Sequence, residues 1–379
     1  MNTHEEIRTA DLTEEVLEEE PQGYRRKFHW RLLEDILVVL ALGAGMYLLV
    51  PRFLGDREMV AILSSHTNYL VIPLCLVVET ISMLSICYLY YQVLRIGGET
   101  LSFGRTAKIY MSAYAFGHIV PGANAGTFYL NYRELRNEGI SRSSVIKTLA
   151  VSNITYSASL LLLLVAGILL SLMTGRLPFT LNVSAIVIGG GSILFVLLCI
   201  FLYRRPALLV RMSAALMRLV RRMGFAREID FDAIPGQVEE TRSYISSIVH
   251  SRRNLARTAV PAVSFWLFDL ICLYIVFLGI GHPINPGILM VCYIFADLLA
   301  SIPTTPAGLG VFEVTLGASL YAFGVSKEAL TIGILGFRFF SFWLPIPAGG
   351  ICYLLLRMDR RREERNGKIP TEANGARSS

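Results

Sequence analysis

Charge is scarce in this 379-residue chain: Asp, Glu, Lys and Arg make up 17% of it, against 54% hydrophobic residues and a mean hydropathy of +0.53. A soluble fold could not bury that much apolar surface, so a water-soluble protein is excluded. No H-E-x-x-H, no G-x-S-G elbow and no Cys/His cluster at metal spacing occurs, so no metal, cofactor or catalytic residue is expected. Gly-Lys phosphate loops are also missing, which argues against ATP-driven work by this chain alone. The six cysteines (75, 87, 199, 272, 292, 352) lie in apolar stretches and read as small buried hydrophobes, not a disulfide framework. A positive start followed by an apolar core is lacking too: Met1 to Gly23 is acidic, so residues 1–31 read as a disordered acidic cytoplasmic tail rather than a signal peptide.

Long apolar runs are what the chain has. Crossing a bilayer takes about 20 mostly apolar residues, and six runs qualify: Leu32–Leu54, Tyr69–Leu94, Thr148–Gly175, Leu177–Tyr203, Thr258–Gly281 and Ala329–Leu356. Two further apolar regions, 109–132 and 283–325, are interrupted by Pro121-Gly122 and by the stretch Pro303 to Gly310, where an unbroken helix is not expected. The fold class is therefore an all-α polytopic membrane protein with six full spans and two broken or re-entrant helical segments. The membrane domain is expected over 32–356, followed by a basic tail at 357–379.

The net charge of +6 and pI near 9.0 follow from topology and do not call for nucleic acid. With the N-terminus inside, 30 of the 35 Lys and Arg fall on inner segments, so both termini are expected in the cytoplasm and the protein in the cell membrane. The segment 109–132 has basic flanks and should enter and leave from the cytoplasm. Segment 283–325 lacks them and should dip in from outside or cross twice. The inner loop 204–257 carries Leu208, Met212, Leu216 and Leu219 at helical spacing with arginines between, an interfacial pattern that favours anionic lipid.

An internal correspondence links the broken regions. At an offset of 185, Pro121 aligns with Pro306, Gly139 with Gly324, Ser141 with Ser326 and Arg142 with Lys327, each Gly–β-branched–Ser–basic run opening a span through a Ser N-cap. The flanks put the copies on opposite membrane sides, a possible inverted repeat of the kind found in transporters, whose sites lie where half-helix ends meet.

Ionisable groups inside spans cost roughly 2.5–3.5 kcal/mol each and need a cavity or a partner. Glu79, Asp269, Asp297, Glu313 and Arg338 are the candidates. They either line a polar pathway or relay, or Arg338 clamps the last two elements through Glu313 or Asp297. Glu313, in the first turn after Gly310, can equally serve as a helix-start carboxylate. The two breaks would expose backbone amides to an anion such as a lipid phosphate, with Asn124, Thr304 and Thr305 as side-chain donors and Pro121, Gly122, Pro303, Pro306, Gly308 and Gly310 shaping the turns. His118 is expected to be a bonded interior histidine, and the tryptophans and tyrosines belt and core residues.

The run S-I-P-T-T-P-A-G-L-G-V-F-E, then G-V-S-K-E-A-L and G-F-R-F-F-S-F-W-L-P-I-P-A-G-G, at 301–350, resembles the lysylphosphatidylglycerol synthase transmembrane, or flippase-like, family. Pro303, Pro306, Gly308, Gly310, Glu313, Gly324, Arg338 and Pro345 stand where that pattern has them, and V-P-G-A-N-A-G with Gly139 and Ser141 is a weaker second match. The resemblance implies a membrane protein that binds or translocates an anionic or glycosylated phospholipid. In the first motif the family's acidic residues are replaced, at Thr127 or Phe128, then Ser152, Asn153 and Tyr156. The soluble aminoacyltransferase domain of some relatives is not expected after the basic tail. Two alternatives remain: a membrane glycosyltransferase using Asp56 and Glu58, and a non-catalytic partner anchoring a separate lipid-modifying synthase through the loop 204–257.

Overall fold

A computed structural model describes residues 70–119, 124–173, 205, 234–301 and 305–365, within a compact unit running from Leu54 to Ser379. All regular structure among them is helical. The expected spans Leu32–Leu54 and Leu177–Tyr203, the amphipathic stretch 208–222, Asp56, Glu58, Cys199 and most of both tails lie outside the described residues.

The elements in order are α1 (Val71–Ile96), α2 (Phe103–Ile119), α3 (Asn124–Asn137), α4 (Arg142–Met173), α5 (Ile234–His250), α6 (Arg252–Gly279), α7 (Pro286–Ala300), α8 (Val311–Ala322), α9 (Lys327–Arg338) and α10 (Pro345–Arg365). Four stretches are long and apolar enough to cross a membrane: α1, α4, α6 and the run Lys327–Glu363 that joins α9 to α10. These are four of the six expected spans. Helices α4 and α6 begin six residues before their expected starts, because apolar content marks the middle of a span while the cap marks its beginning. Ser141 Oγ accepts from Ser144 N (3.1 Å), Ser251 Oγ from Asn254 N (3.4 Å) and Ser326 Oγ from Ala329 N (3.3 Å). The same cap places α5 and the start of α6 inside what reads in sequence as one loop.

Both broken regions fold as pairs of short helices packed on each other, α2 with α3 and α7 with α8. At 12 to 17 residues each, they measure roughly 18–26 Å, less than the ~30 Å hydrocarbon layer. The second break contains a 3₁₀ turn at Pro306–Gly308 in which Ala307 holds φ 48°. That left-handed conformation is uncommon for a residue with a side chain.

The halves correspond helix by helix: α1 with α6, α2 with α7, α3 with α8, and α4 with α9–α10. Gly139 (φ 82°) and Gly324 (φ 85°) both end their short helix in a left-handed turn, and the following amide returns to the same carbonyl, Ile140 N to Leu135 O and Val325 N to Leu320 O. The turns closing α1 and α6 match as well, with Gly98 (φ 90°) and Gly281 (φ 76°), but at an offset of 183. Between that turn and the turn that ends the second short helix, the second half is thus two residues longer than the first.

Helices α1 and α6 pack antiparallel at the centre. The Cys75 thiol reaches the Cys272 carbonyl (3.8 Å) while the Cys272 thiol reaches that of Cys75 (4.0 Å), and Ser82 Oγ donates to Phe265 O (2.9 Å). Ser82 and Phe265 are themselves counterparts at 183, so the local two-fold axis passes between them. The long helices are exchanged: α10 packs on α2 and α4 on α7. On the α2 side the approach is so close that a Cβ on Gly349 would stand 2.2 Å from the Met111 carbonyl oxygen.

Between α9 and α10 the chain makes a π turn, Phe339–Trp343, closed by Leu344 N to Phe339 O (3.0 Å). Pro345 has no N–H to bond the Ser341 carbonyl, which explains why the ladder changes step there. Much of α1 and α4 presents apolar side chains outward, Ile72, Val77, Leu162 and Leu169 among them, as a lipid-facing surface requires.

Candidate functional site

A cavity of about 540 Å³ lies where the two hairpins approach each other, with α1, α4, α6 and α9 completing its walls. Its lining is built largely from counterparts: Tyr110 and Tyr293, Tyr114 and Asp297, His118 and Ser301, Ile86 and Asp269 at 183, then Thr127 and Phe312, Asn153 and Arg338, Tyr156 and Ser341 at 185. Aromatic rings form the floor, Tyr156 stacking near Trp266 (4.5 Å between centroids), whose indole N–H donates to the Tyr156 carbonyl (3.0 Å). His118 is bonded to the Tyr114 carbonyl (2.8 Å), as expected of an interior histidine.

The cavity's charge comes from the second half. Arg338 occupies the last turn of α9, immediately before the π turn, with its side chain 11% exposed. Its Nε stands 2.6 Å from Glu313 Oε1, and its guanidinium carbon lies 3.9 Å from the Phe312 ring centroid. Glu313 Oε2 in turn accepts from Gly310 N (2.6 Å), so one carboxylate both caps α8 and holds the arginine. The clamp expected between Arg338 and Glu313 is present, and the terminal guanidinium nitrogens make no hydrogen bond to protein among the described residues. Asp269 accepts the Tyr293 hydroxyl, and Asp297 lines the wall. A cation with free donors beside carboxylates and tyrosine hydroxyls, framed by rings, can bind a phosphate together with a hydroxyl- or amine-bearing group.

Of the other sequence candidates, Glu79 is 2% exposed and does not reach the cavity lining. Ala307 lines the cavity, Gly308 packs its backbone on Ala300, and Thr305 stands at the break with a buried hydroxyl. Asn124 opens α3. Pro121, Gly122, Pro303 and Thr304 lie outside the described residues, and the side chains of Asn124 and Pro306 likewise. Composition alone hid the tyrosines and Trp266, read as belt and core. The recurrence of Tyr110 as Tyr293 would have found them, had the correspondence been carried back through the two-residue shift.

A second group of charges ties the ends of α2, α3 and α10 together. Arg105 bridges Glu363 (2.5 Å) and Glu138 (2.8 Å), Lys108 bridges Asp359 (2.7 Å), and the buried Glu134 accepts from both Arg133 (2.7 Å) and Arg360 (2.5 Å). Hydrogen bonding to Glu363, reinforced by Glu138, holds the Arg105 guanidinium above its ordinary value. On α5, the Ser143 hydroxyl and then Lys147 hold the Glu240 carboxyl below the usual range. These residues read in sequence only as markers of the inner side; several of them also lock helix ends.

The family model described as the lysylphosphatidylglycerol synthase TM region matches residues 36–349. The chain is similar to a UPF0104 membrane protein of Pyrococcus horikoshii, 29% identical over 120 residues covering 31% of this chain and 36% of that one. It also resembles a UPF0104 membrane protein of Methanothermobacter thermautotrophicus, 27% identical over 123 residues (32% and 35%), and an uncharacterized protein of Synechocystis, 28% identical over 120 (32% and 36%). The matches span about a third of each relative's length.

Proposed function

The chain belongs to the family of the lysylphosphatidylglycerol synthase transmembrane region, and on that premise we propose that it binds an anionic or glycosylated phospholipid and moves its headgroup across the cell membrane. The observation that carries this reading is the position of Arg338, with free guanidinium donors facing a cavity formed where two broken hairpins meet. A phosphate would sit on Arg338, and the hydroxyls or amines of the headgroup against Asp297, Asp269 and the tyrosines.

Alternating access is supported by the antiparallel packing of the corresponding helices α1 and α6, as in inverted repeats whose halves rock around a midplane site. The α2–α3 hairpin would enter from the cytoplasmic side and α7–α8 from outside, with both termini in the cytoplasm, as the distribution of Lys and Arg favours.

The test is movement of a fluorescent-acyl phosphatidylglycerol between leaflets of reconstituted vesicles. Arg338→Ala combined with Glu313→Gln, which avoids leaving a lone buried carboxylate, should abolish movement while membrane insertion persists. Undiminished movement removes Arg338 and this cavity from the mechanism.

A further inference from the structure

Behind the cavity wall lies a charge that headgroup binding does not use. Glu79, on α1, falls between Cys75 and Ser82, the residues whose bonds fix the antiparallel register with α6, and this brings it against Asp269. It is 2% exposed, and no hydrogen-bond donor reaches either of its oxygens among the described residues. Its polar neighbours are the Asp269 carboxyl and the Cys272 thiol, the latter turned to the Cys75 carbonyl.

The fold itself does not require this pair. The counterparts of Glu79 and Asp269 across the local two-fold are Ala262 and Ile86, both buried and apolar. Charge balance gives the pair its meaning. Among the described residues, Glu79, Asp269, Asp297 and Glu313 stand with one nearby cation, Arg338, whose ion pair is with Glu313. Burying the remaining carboxylates at membrane depth without a counter-charge is costly. Two carboxyl groups in contact with no donor between them form a hydrogen bond once a proton is supplied.

We propose that Glu79 and Asp269 share a proton-binding site whose occupancy is coupled to that of the Arg338 cavity; this rests on the translocation reading above and supplies its energy source. A hard metal cation is a poor occupant, because it takes about six or more oxygen ligands and the described residues contain no metal-holding group of His, Cys, Asp or Glu. The groups facing the pair are Cys75 on α1, Cys272 on α6, Tyr293 and Asp297 on α7, Tyr114 on α2, Tyr156 on α4 and Arg338 on α9. Asp269 is the link: it touches Glu79 on one side, and on the other it accepts the Tyr293 hydroxyl and feels Arg338. Asp269 and Arg338 line the same cavity, so a phosphate bound at Arg338 brings negative charge to the side of the pair that faces the lining, and headgroup and proton favour each other's binding.

Two measurements on the full chain test this. In vesicles containing fluorescent-acyl phosphatidylglycerol, a one-unit pH gradient should shift the steady-state leaflet ratio about tenfold if one proton accompanies each lipid. Glu79→Gln, whose amide supplies a fixed donor to Asp269, should abolish that shift and leave gradient-free exchange running. Exchange that proceeds in the native chain without responding to the gradient, or a shift that survives in Glu79→Gln, overturns the proton site and leaves the translocation reading standing. Should the native chain show no exchange at all, the translocation reading fails, and the site is judged by infrared absorption of the detergent-purified protein at neutral pH. A protonated-carboxyl band lost in both Glu79→Gln and Asp269→Asn supports the site; its absence from the native protein, or its persistence in either folded variant, overturns it.

Discussion

Phe128 and Asn153 in the first half stand where Glu313 and Arg338 stand in the second, 185 residues on, and Tyr114 and Ile86 stand where Asp297 and Asp269 do. The flanking turns agree down to the carbonyl each amide bonds. One backbone plan therefore carries an aromatic and amide-lined wall on one side of the cavity and an ionic wall on the other. The fold needs the glycine turns, the serine caps and the antiparallel centre twice. It carries the charges only once, so the repeated architecture does not itself depend on them.

Four changes would break or sharpen that contrast, and the largest effect is expected at the ion pair. Glu313→Gln or Arg338→Met alone should cost about 3–5 kcal/mol by stranding a buried charge, while the double variant should recover most of that in detergent unfolding. Rebuilding the pair as Phe128→Glu with Asn153→Arg in the double variant asks whether the first half can host it; a chain no more stable with both than with either alone would show that the halves are not interchangeable.

Next come the exchanged interfaces. Gly349→Ala drives a Cβ into the Met111 backbone and should cost about 1–3 kcal/mol, whereas Gly167→Ala, on the α4–α7 side, meets the movable Met290 side chain at 2.8 Å and should cost under ~1 kcal/mol. Equal losses would refute the difference in packing. Third, Gly139→Ala and Gly324→Ala meet no atom within 4 Å and differ only in backbone strain, so each should lower stability by the same roughly 1–2 kcal/mol. Smallest is the docking of α5 on α4. Glu240 is held ionised below its ordinary range, so its contribution is present above that range and disappears as pH falls through the depressed value. Hydrogen exchange in α5 should accordingly be flat near neutrality and rise only in acid, and Ser143→Ala should move that rise to higher pH.

Much of this was legible in the sequence. Hydropathy located four of the helices, and Pro-Gly interruptions located both hairpins, because those signals are local. Arg338, Asp297 and Glu313 stood out because charge in an apolar run is rare. The aromatic wall did not, since a tyrosine facing a cavity and one facing a neighbouring helix share the same composition and spacing. Nor did the placement of Glu79 behind Asp269, which depends on the antiparallel register of helices almost 200 residues apart. The ion pairs of Arg105 and Arg360 were hidden for a related reason: a basic residue that marks the inner side and one that locks helix ends look alike until their partners are seen.

The exchanged helices also set a timetable. Helix α2 is complete by Ile119, yet the surface that Gly349 presses against waits for α10, more than 200 residues later. At bacterial-scale synthesis rates that interval is on the order of ten to fifty seconds, during which the α2–α3 hairpin, too short to span, must be sheltered by α1, by lipid or by the insertion machinery. A ribosome stalled anywhere before residue 345 would leave α2 without the helix that Gly349 packs against it, so truncated chains should be cleared as unfinished proteins.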